Sequence, residues 1–293
     1  MLYALMDYSN NKSNKISFEE ILGEVKVCVP QKIEKKKNAI KKVLKIIDQY
    51  GVKNIIFSRE LQKNIEFYKL IQDNKGYVVT GRRMGKVLLM KVVEEMAKYT
   101  RYQKENMSLL LFMNEYSMEN IDLIEWIASE VKELNLISRN YSKYEKTSNT
   151  LFEKYGFIVK LYDEECRTEF KKVNMVINLD FKEEIFQKFN INKNSIIISL
   201  NEEIRKLSKG FNGIIVNDID ISGLNDSTIK YRSLALCEAQ IYKPLRKLKD
   251  NERIFNSEKY ILNGYMGKNG KITVEDFEKI GKNFSLDKRQ ANV

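Results

Sequence analysis

The sequence predicts an α/β protein of two domains with parallel sheets, the second of them doubly wound, and a C-terminal helical segment. Three observations predict this fold class. The chain has 293 residues, which is enough for two domains with separate cores. Short β-branched apolar runs alternate with stretches of helical periodicity, the pattern of parallel strands joined by crossover helices. A hydrophobic fraction of 43% with only two prolines indicates a globular chain rather than a disordered one.

The first domain, residues 1–100, is predicted from three apolar strands with helical stretches between them. Its last helix ends at the polar stretch 101–106, which marks the domain boundary. The strands are expected at 25–29, 54–57 and 77–80, and the helices at 31–49, 59–73 and 84–100.

The second domain, residues 107–225, has a more regular alternation. Parallel neighbours need covering crossovers, and right-handed crossovers generate a doubly wound sheet. Its strands are expected at 108–113, 134–137, 157–161, 175–179, 195–199 and 213–216, with helices near 119–132, 142–155 and 181–189. Residues 226–293 form the helical segment, which we expect to pack back on the first domain.

Composition excludes several classes of chemistry. The chain has no histidine, which rules out Ser-His-Asp and Cys-His nucleophile pairs and most zinc and iron sites. Cys28, Cys166 and Cys237 match no metal-ligand spacing and are expected to be reduced thiols of a cytoplasmic protein. Asp7 interrupts the first apolar residues, so we expect no signal peptide, no membrane span and no membrane partner.

The net charge of +11 is unevenly distributed. Residues 1–100 carry +9, residues 101–200 carry −2 and residues 201–293 carry +4. Much of the first excess lies on the helix expected at 31–49, where lysines interleave with apolar residues at helical spacing. A solvated face is favoured over a nucleic-acid patch, so we do not expect a nucleic-acid partner. The lysines are Lys32, Lys35, Lys36, Lys37, Lys41, Lys42 and Lys45.

The turn 80–86 is the strongest candidate for a ligand site. It follows a strand and opens a helix, so glycine flexibility, free backbone N–H groups and three cations meet where an anion is stabilised. It is not a P-loop, because three residues separate its glycines and Val87 follows the lysine. Solvated arginines or a contact with the acidic second domain are the alternatives. The predicted anion-binding residues are Gly81, Arg82, Arg83, Gly85 and Lys86.

Two patterns in the last third offer weaker candidates. Asp218 and Asp220 alternate along a strand end, which suits an acid–base or metal pair, although surface carboxylates are the commoner case. The stretch 267–277 resembles a calcium loop, but Tyr265 and Gly267 would occupy ligand positions. A turn before a helix that starts near Thr273 and is N-capped explains it better.

Residues 107–201 resemble the Rossmann domain of shikimate-dehydrogenase-like and glutamyl-tRNA-reductase-like oxidoreductases. The sequence 136–140, Leu-Ile-Ser-Arg-Asn, matches the turn after their second strand, and 173–178, Val-Asn-Met-Val-Ile-Asn, matches their fourth-strand run. The resemblance implies that both domains are Rossmann-like and that NADP is the cofactor. It implies cofactor-binding roles for Arg139 and Asn140, at the 2′-phosphate turn, and for Asn178, near the nicotinamide.

The defining glycine motif is missing. A dinucleotide fingerprint needs glycines in the turn after the first strand, whereas the turn 113–120 has none and contains Glu115 and Glu119. Side chains and negative charge would occupy the space of the diphosphate. The sequence therefore favours a degenerate dehydrogenase-like module, binding or regulatory, with no cofactor.

Its expected partner is an anionic small molecule or a protein at the interdomain cleft, and a homodimer is compatible with the sequence. An NADP-dependent oxidoreductase with atypical cofactor binding through Arg139 and Asn140 is the first alternative. Nucleic-acid binding through the basic first domain is the second. No catalytic residue is identified by the sequence.

Overall fold

The chain divides into two compact units. The first comprises Met1–Val87 with Asp220–Asn263, and the second comprises Leu88–Ile219 with Gly264–Val293. Each unit therefore combines an early and a late part of the chain. The computed structural model describes residues 3–9, 15–21, 24–30, 36–52, 54–75, 78–103, 106–201, 203–204, 207, 210–221, 230–241 and 260–290.

A four-stranded sheet lies at the core of the first unit. Its strands are β1 (Tyr3–Tyr8), β2 (Ser17–Ile21), β3 (Glu24–Val29) and β4 (Asn54–Phe57), in the order β2-β3-β1-β4. β1 is central and parallel to β3 and β4, whereas β2 is an antiparallel edge strand. β1 and β2 were not predicted from the sequence. The strand predicted at 77–80 is a single bridge between Ile55 and Val78, and Tyr77 lies outside the described residues.

Three helices accompany this sheet: α1 (Lys36–Gln49), α2 (Arg59–Gln62) and α3 (Ile65–Lys75). α1 buries an apolar stripe in the core, and residues 31–35 of the helix predicted at 31–49 lie outside the described residues. The helix predicted at 59–73 is divided into α2 and α3. The division occurs at Asn64, whose side-chain oxygen accepts a hydrogen bond from the backbone N–H of Phe67 at 3.3 Å. Asn64 thereby competes with continuation of the first helix.

The second unit contains a six-stranded parallel sheet, and all six strands predicted for it are confirmed. The strands lie in the order β12-β11-β9-β5-β6-β7. The chain begins at the central β5, continues outward to β7, and then returns past β5 to β9, β11 and β12. This is the doubly wound Rossmann order. The short strands β8 and β10 pair with each other. In chain order the strands are β5 (Ser108–Phe112), β6 (Glu133–Ile137), β7 (Val159–Tyr162), β8 (Glu169–Phe170), β9 (Met175–Asn178), β10 (Asn190–Ile191), β11 (Ile196–Ser199) and β12 (Ile214–Val216).

Four helices complete the crossovers and the chain connection from the first unit. They are α4 (Arg82–Thr100), α5 (Met118–Glu130), α6 (Glu145–Tyr155) and α7 (Glu183–Phe186). The helix predicted at 181–189 is thus a single turn. Aromatic side chains form much of the core where β5 packs against α7 and its flanking residues. The ring of Phe112 lies 4.6 Å from that of Phe186, 5.0 Å from that of Phe189 and 5.3 Å from that of Phe181.

The C-terminal part is less helical than predicted. It contains β13 (Asp218–Ile221), α8 (Ser233–Ile241), a hairpin of β14 (Leu262–Gly267) and β15 (Gly270–Ile272), and α9 (Val274–Gln290). The predicted cap at Thr273 is confirmed, because its hydroxyl accepts from the N–H of Asp276 at 3.3 Å and its own N–H donates to the Asp276 carboxylate at 3.0 Å. Among the described residues, no helix combines the length and apolar character needed to cross a membrane.

Candidate functional site

The candidate site lies at the carboxyl edge of the six-stranded sheet, where β5 and β9 are neighbours. Phe112 at the end of β5 is in register with Asn178 at the end of β9. The chain leaves these two strands in opposite directions across the sheet, which makes this the topological switch point. Open α/β sheets bind ligands in the crevice at such a point. The turn 113–117 joins β5 to α5 and is the position of a dinucleotide's diphosphate in Rossmann domains.

A carboxylate of the protein occupies the backbone donors of this turn. The N–H of Asn114 donates to Asp180 Oδ1 at 2.9 Å and to Oδ2 at 2.8 Å, and the N–H of Glu115 donates to Oδ2 at 3.1 Å. Asp180 lies two residues beyond β9 and is half-buried. The donors that a glycine turn offers to a phosphate are therefore used inside the protein.

Side chains hold the turn where glycines would otherwise shape it. Ser117 caps α5, its hydroxyl accepting from the N–H of Asn120 at 3.3 Å. The amide of the fully buried Asn120 and the hydroxyl of Tyr144 both donate to the carbonyl of Glu115. Burial raises the pKa of Tyr144 above its ordinary value, so its hydroxyl stays protonated and remains a donor. The ring of Tyr116 packs edge-on against Tyr144 at 5.1 Å.

Arg139 and Asn140, to which the resemblance implied a role at the 2′-phosphate, lie against the β5–α5 turn, and the contacts described for them are internal. The N–H of Arg139 donates to Asn114 Oδ1 at 2.7 Å, and the Asn140 amide donates to the Asn114 carbonyl at 3.0 Å. The guanidinium of Arg139 pairs with Glu164, from the loop after β7. Because the Arg139 side chain is 53% exposed, this pair contributes little to stability, but it sets a carboxylate where a 2′-phosphate would need a cation.

Asn178 serves to close the loop after β9. Its amide nitrogen donates to the carbonyl of Phe181 at 3.0 Å and to Ser199 Oγ at 3.3 Å. Its amide oxygen accepts from the N–H of Phe181 at 3.0 Å. The side chain is fully buried, so its donors are already satisfied within the fold.

The electrostatics of this edge oppose an anionic ligand. The four segments at the carboxyl ends of β5, β6, β7 and β9 contain nine acidic and four basic residues, a net charge of −5. Glu115 and Glu119 are both exposed. A dinucleotide carrying a diphosphate would meet like charges here. The segments are 113–119, 138–145, 163–168 and 179–184.

The predicted anion turn, in the first unit, also holds an internal carboxylate. Glu238 of α8 accepts a hydrogen bond from the N–H of Met84 in the first turn of α4 at 3.1 Å. Burial raises the pKa of Glu238, while backbone hydrogen bonds from Met84 and Arg83 and the charges of Arg83 and Arg232 oppose that shift. Glu238 was not predicted from the sequence, although it is the one carboxylate in the mainly apolar α8.

The glycine of this turn serves packing. Gly81 has φ +82°, and a Cβ there would lie 2.5 Å from Leu234 Cβ and 2.6 Å from the backbone nitrogen of Ala235. The turn therefore approaches α8 closely enough to require glycine. Arg82, Arg83, Gly85 and Lys86 form the first turn of α4, so the predicted set is brought together around a helix start that Glu238 occupies.

A cavity of about 360 Å³ was not predicted from the sequence. It lies between the loop after β7 and the start of β10, and Cys166 is one of its lining residues. Burial raises the pKa of the Cys166 thiol, which keeps it protonated.

Asp218 is buried and Asp220 half-buried on β13. In the part of the chain that the structure describes, no group of three or more Cys, Asp or Glu side chains could hold a metal ion.

No protein-family model and no curated protein matches the sequence. Among solved structures, the chain is similar to a shikimate dehydrogenase in complex with NADP⁺, at 12% identity and a TM-score of 0.32, over 89% of this chain and 85% of the other. It is also similar to L-tryptophan dehydrogenase from Nostoc punctiforme, at 11% identity and a TM-score of 0.32, over 92% and 77%. Both are Rossmann-type oxidoreductases. The Rossmann topology itself follows from the strand order of the second unit.

Proposed function

We propose that this protein is a Rossmann-like binding or regulatory module that does not use NAD(P) as a cofactor. The carrying observation is the Asp180 carboxylate, which accepts the N–H groups of Asn114 and Glu115. A diphosphate would have to displace it and break these charge-assisted hydrogen bonds. Each such bond contributes about 1.5–3 kcal/mol. If Asp180 stayed in place, two like charges about 4 Å apart would repel by about 4 kcal/mol near a protein surface.

The other residues that the resemblance implies support the same proposal. Arg139 pairs with Glu164, and Asn178 uses its amide to close the loop after β9. At the start of α4, Glu238 accepts a backbone N–H just as Asp180 does at the turn before α5. At each of these two turns, a carboxylate from the same unit thus accepts the backbone N–H groups that a phosphate would need.

A thermal-shift titration with NADPH, NADP⁺ and NADH tests this proposal. A ligand that binds the native state stabilises it by mass action, by about 2.7 kcal/mol at one hundred times its dissociation constant. We expect no shift at millimolar nucleotide. We expect the same for Asp180→Asn, because Glu115 and the other edge carboxylates remain. We also expect it for the matched control Glu184→Gln, which makes the same carboxylate-to-amide change at an exposed residue four positions away.

A saturable shift with a micromolar midpoint would overturn the proposal. If Arg139→Ala then weakened it, the alternative oxidoreductase with atypical cofactor binding would replace it. Any protein variant in the series must first show a cooperative unfolding transition without nucleotide, so that a missing shift reports binding and not misfolding.

A further inference from the structure

The carboxyl edge of the six-stranded sheet presents apolar side chains to solvent. Tyr116 is 41% exposed, Met118 71% and Tyr141 40%. Tyr116 lies in the turn between β5 and α5, and Met118 is the first residue of α5. Tyr141 begins the helical turn that follows β6. Exposed aromatic residues are typical of protein interfaces, where tyrosine is enriched.

These side chains stand on a rigid base. The segment containing Tyr141 is joined to the β5–α5 turn by the Asn140 amide, which donates to the Asn114 carbonyl at 3.0 Å. The Tyr116 ring rests against Tyr144, whose hydroxyl donates to the same turn. A surface fixed in this way loses little conformational entropy when a partner binds.

The charge of the edge identifies the kind of partner. Glu115 and Glu119 are exposed beside the apolar side chains, and the four carboxyl-end segments carry a net charge of −5. A cationic surface fits such an edge. Lysine suits it well, because its aliphatic stem packs on apolar surface while its ammonium group meets carboxylates or the face of a tyrosine ring. We name Glu115, Tyr116, Met118, Glu119 and Tyr141 the acidic–aromatic edge.

The same chain carries a complementary surface. On α1, Lys41, Lys42 and Lys45 are exposed and lie on one side of the helix, which also carries the exposed Asp48 one turn further on. The opposite side is anchored in the core of the first unit by Val43 and Ile47. We name the three lysines the lysine face. It is preformed, carries a net positive charge and spans about 6 Å, or one helical turn, at about 1.5 Å per residue.

We propose that the acidic–aromatic edge of one copy binds the lysine face of a second copy. This inference rests on the proposed function, because a nucleotide bound at the β5–α5 turn would cover the same edge. The two faces differ, so the contact is head-to-tail and assembly grows with protein concentration into rings or open chains. The net charge of +11 opposes association weakly, since repulsion between charges more than about 8 Å apart is screened at physiological ionic strength.

Charge reversal with complementation tests the proposal. The edge variant is Glu115→Lys/Glu119→Lys, and the helix variant is Lys41→Glu/Lys42→Glu/Lys45→Glu. In sedimentation velocity across a concentration series, we expect wild type to assemble and each variant alone to have a dissociation constant raised about tenfold or more, because like charges then face each other. An equimolar mixture of the two variants restores assembly, since each supplies the face that the other lacks.

Matched controls separate these faces from a general charge effect. Asp73→Lys/Glu153→Lys makes the same charge change as the edge variant at exposed positions on other helices and should assemble like wild type. Met118→Ala/Tyr141→Ala should weaken assembly about tenfold. Phe152→Ala/Tyr155→Ala, which removes exposed aromatic side chains from α6, should not.

The result that overturns the inference is a wild-type monomer at every concentration, or assembly that the edge and helix variants leave unchanged. Failure of the mixture to recover overturns it as well. Thermal unfolding of each variant confirms that it is folded, and the Met118→Ala/Tyr141→Ala pair tests the edge without reversing any charge. NADPH binding measured on the same wild-type sample would refute the proposed function, whereas a monomer that binds no NADPH refutes only this inference.

Discussion

Replacing Gly81 by alanine tests whether the glycine of the α4 turn serves packing. The added Cβ would lie 2.5 Å from Leu234 Cβ, 2.6 Å from the nitrogen of Ala235 and 2.7 Å from the carbonyl carbon of Leu234. Two of these atoms are backbone, so α8 or the turn must shift, at a cost of about 1–3 kcal/mol. The left-handed φ of +82° adds about 1–2 kcal/mol for a residue with a Cβ. The expected loss is therefore about 2–5 kcal/mol.

Gly51 provides the matched control for this experiment. It lies in the same unit with φ +60°, and a Cβ there meets nothing within 4 Å. Gly51→Ala should therefore lose only the backbone cost, about 1–2 kcal/mol. The assay is urea unfolding followed by circular dichroism, with the free energy of unfolding extrapolated to water. If Gly81→Ala costs no more than Gly51→Ala, the close packing of this turn against α8 is refuted.

Three further predictions concern the internal carboxylates and one buried tyrosine. Asp180→Ala should lower the free energy of unfolding by about 1–3 kcal/mol, because the N–H groups of Asn114 and Glu115 lose their acceptor. The control Glu184→Ala should change it by less than about 0.5 kcal/mol. Equal losses for the two variants in urea unfolding would show that Asp180 does not stabilise the turn. Glu238 has a raised pKa in the folded state, so the folded protein binds this proton more tightly than the unfolded chain does. The contribution of Glu238 to stability therefore falls as the pH rises from 4.5, the ordinary pKa of a glutamate, through the raised pKa. The free energy of unfolding, measured by denaturation at a series of pH values, should show this decline in wild type and not in Glu238→Gln. If the two proteins show the same dependence on pH, Glu238 is not the cause of the decline. Tyr265→Phe should cost about 1.5–3 kcal/mol, because the buried Tyr265 hydroxyl donates to the Glu95 carboxylate at 2.7 Å; a change below about 0.5 kcal/mol would show that this bond is not stabilising.

The six-stranded sheet could be predicted because its strands are short, strongly apolar runs. Ile196–Ser199 is a clear case, because all four residues are buried and three of them are isoleucine. β1 could not be predicted in this way. Its sequence, Tyr-Ala-Leu-Met-Asp-Tyr, has no β-branched residue, and its central place depends on pairing with β3 and β4, which come later in the chain. β2 is polar because it is an edge strand.

The candidate site was predictable only in its local part. Arg139 and Asn140 follow β6 in a recognisable turn, and the structure brings both to the β5–α5 turn. The carboxylates that occupy the donors are distant in sequence. Asp180 lies 66 residues from Asn114, and Glu238 lies 154 residues from Met84. No local pattern identifies such partners, because the strand order and the docking of α8 determine which groups meet.

The most direct test of the central claim is a calorimetric titration of NADPH into the wild-type protein. The claim is that Asp180, with the acidic residues around it, takes the place of a dinucleotide's diphosphate. It predicts no heat of binding beyond dilution at millimolar nucleotide. A saturable isotherm with a micromolar dissociation constant, weakened by Arg139→Ala, would contradict it.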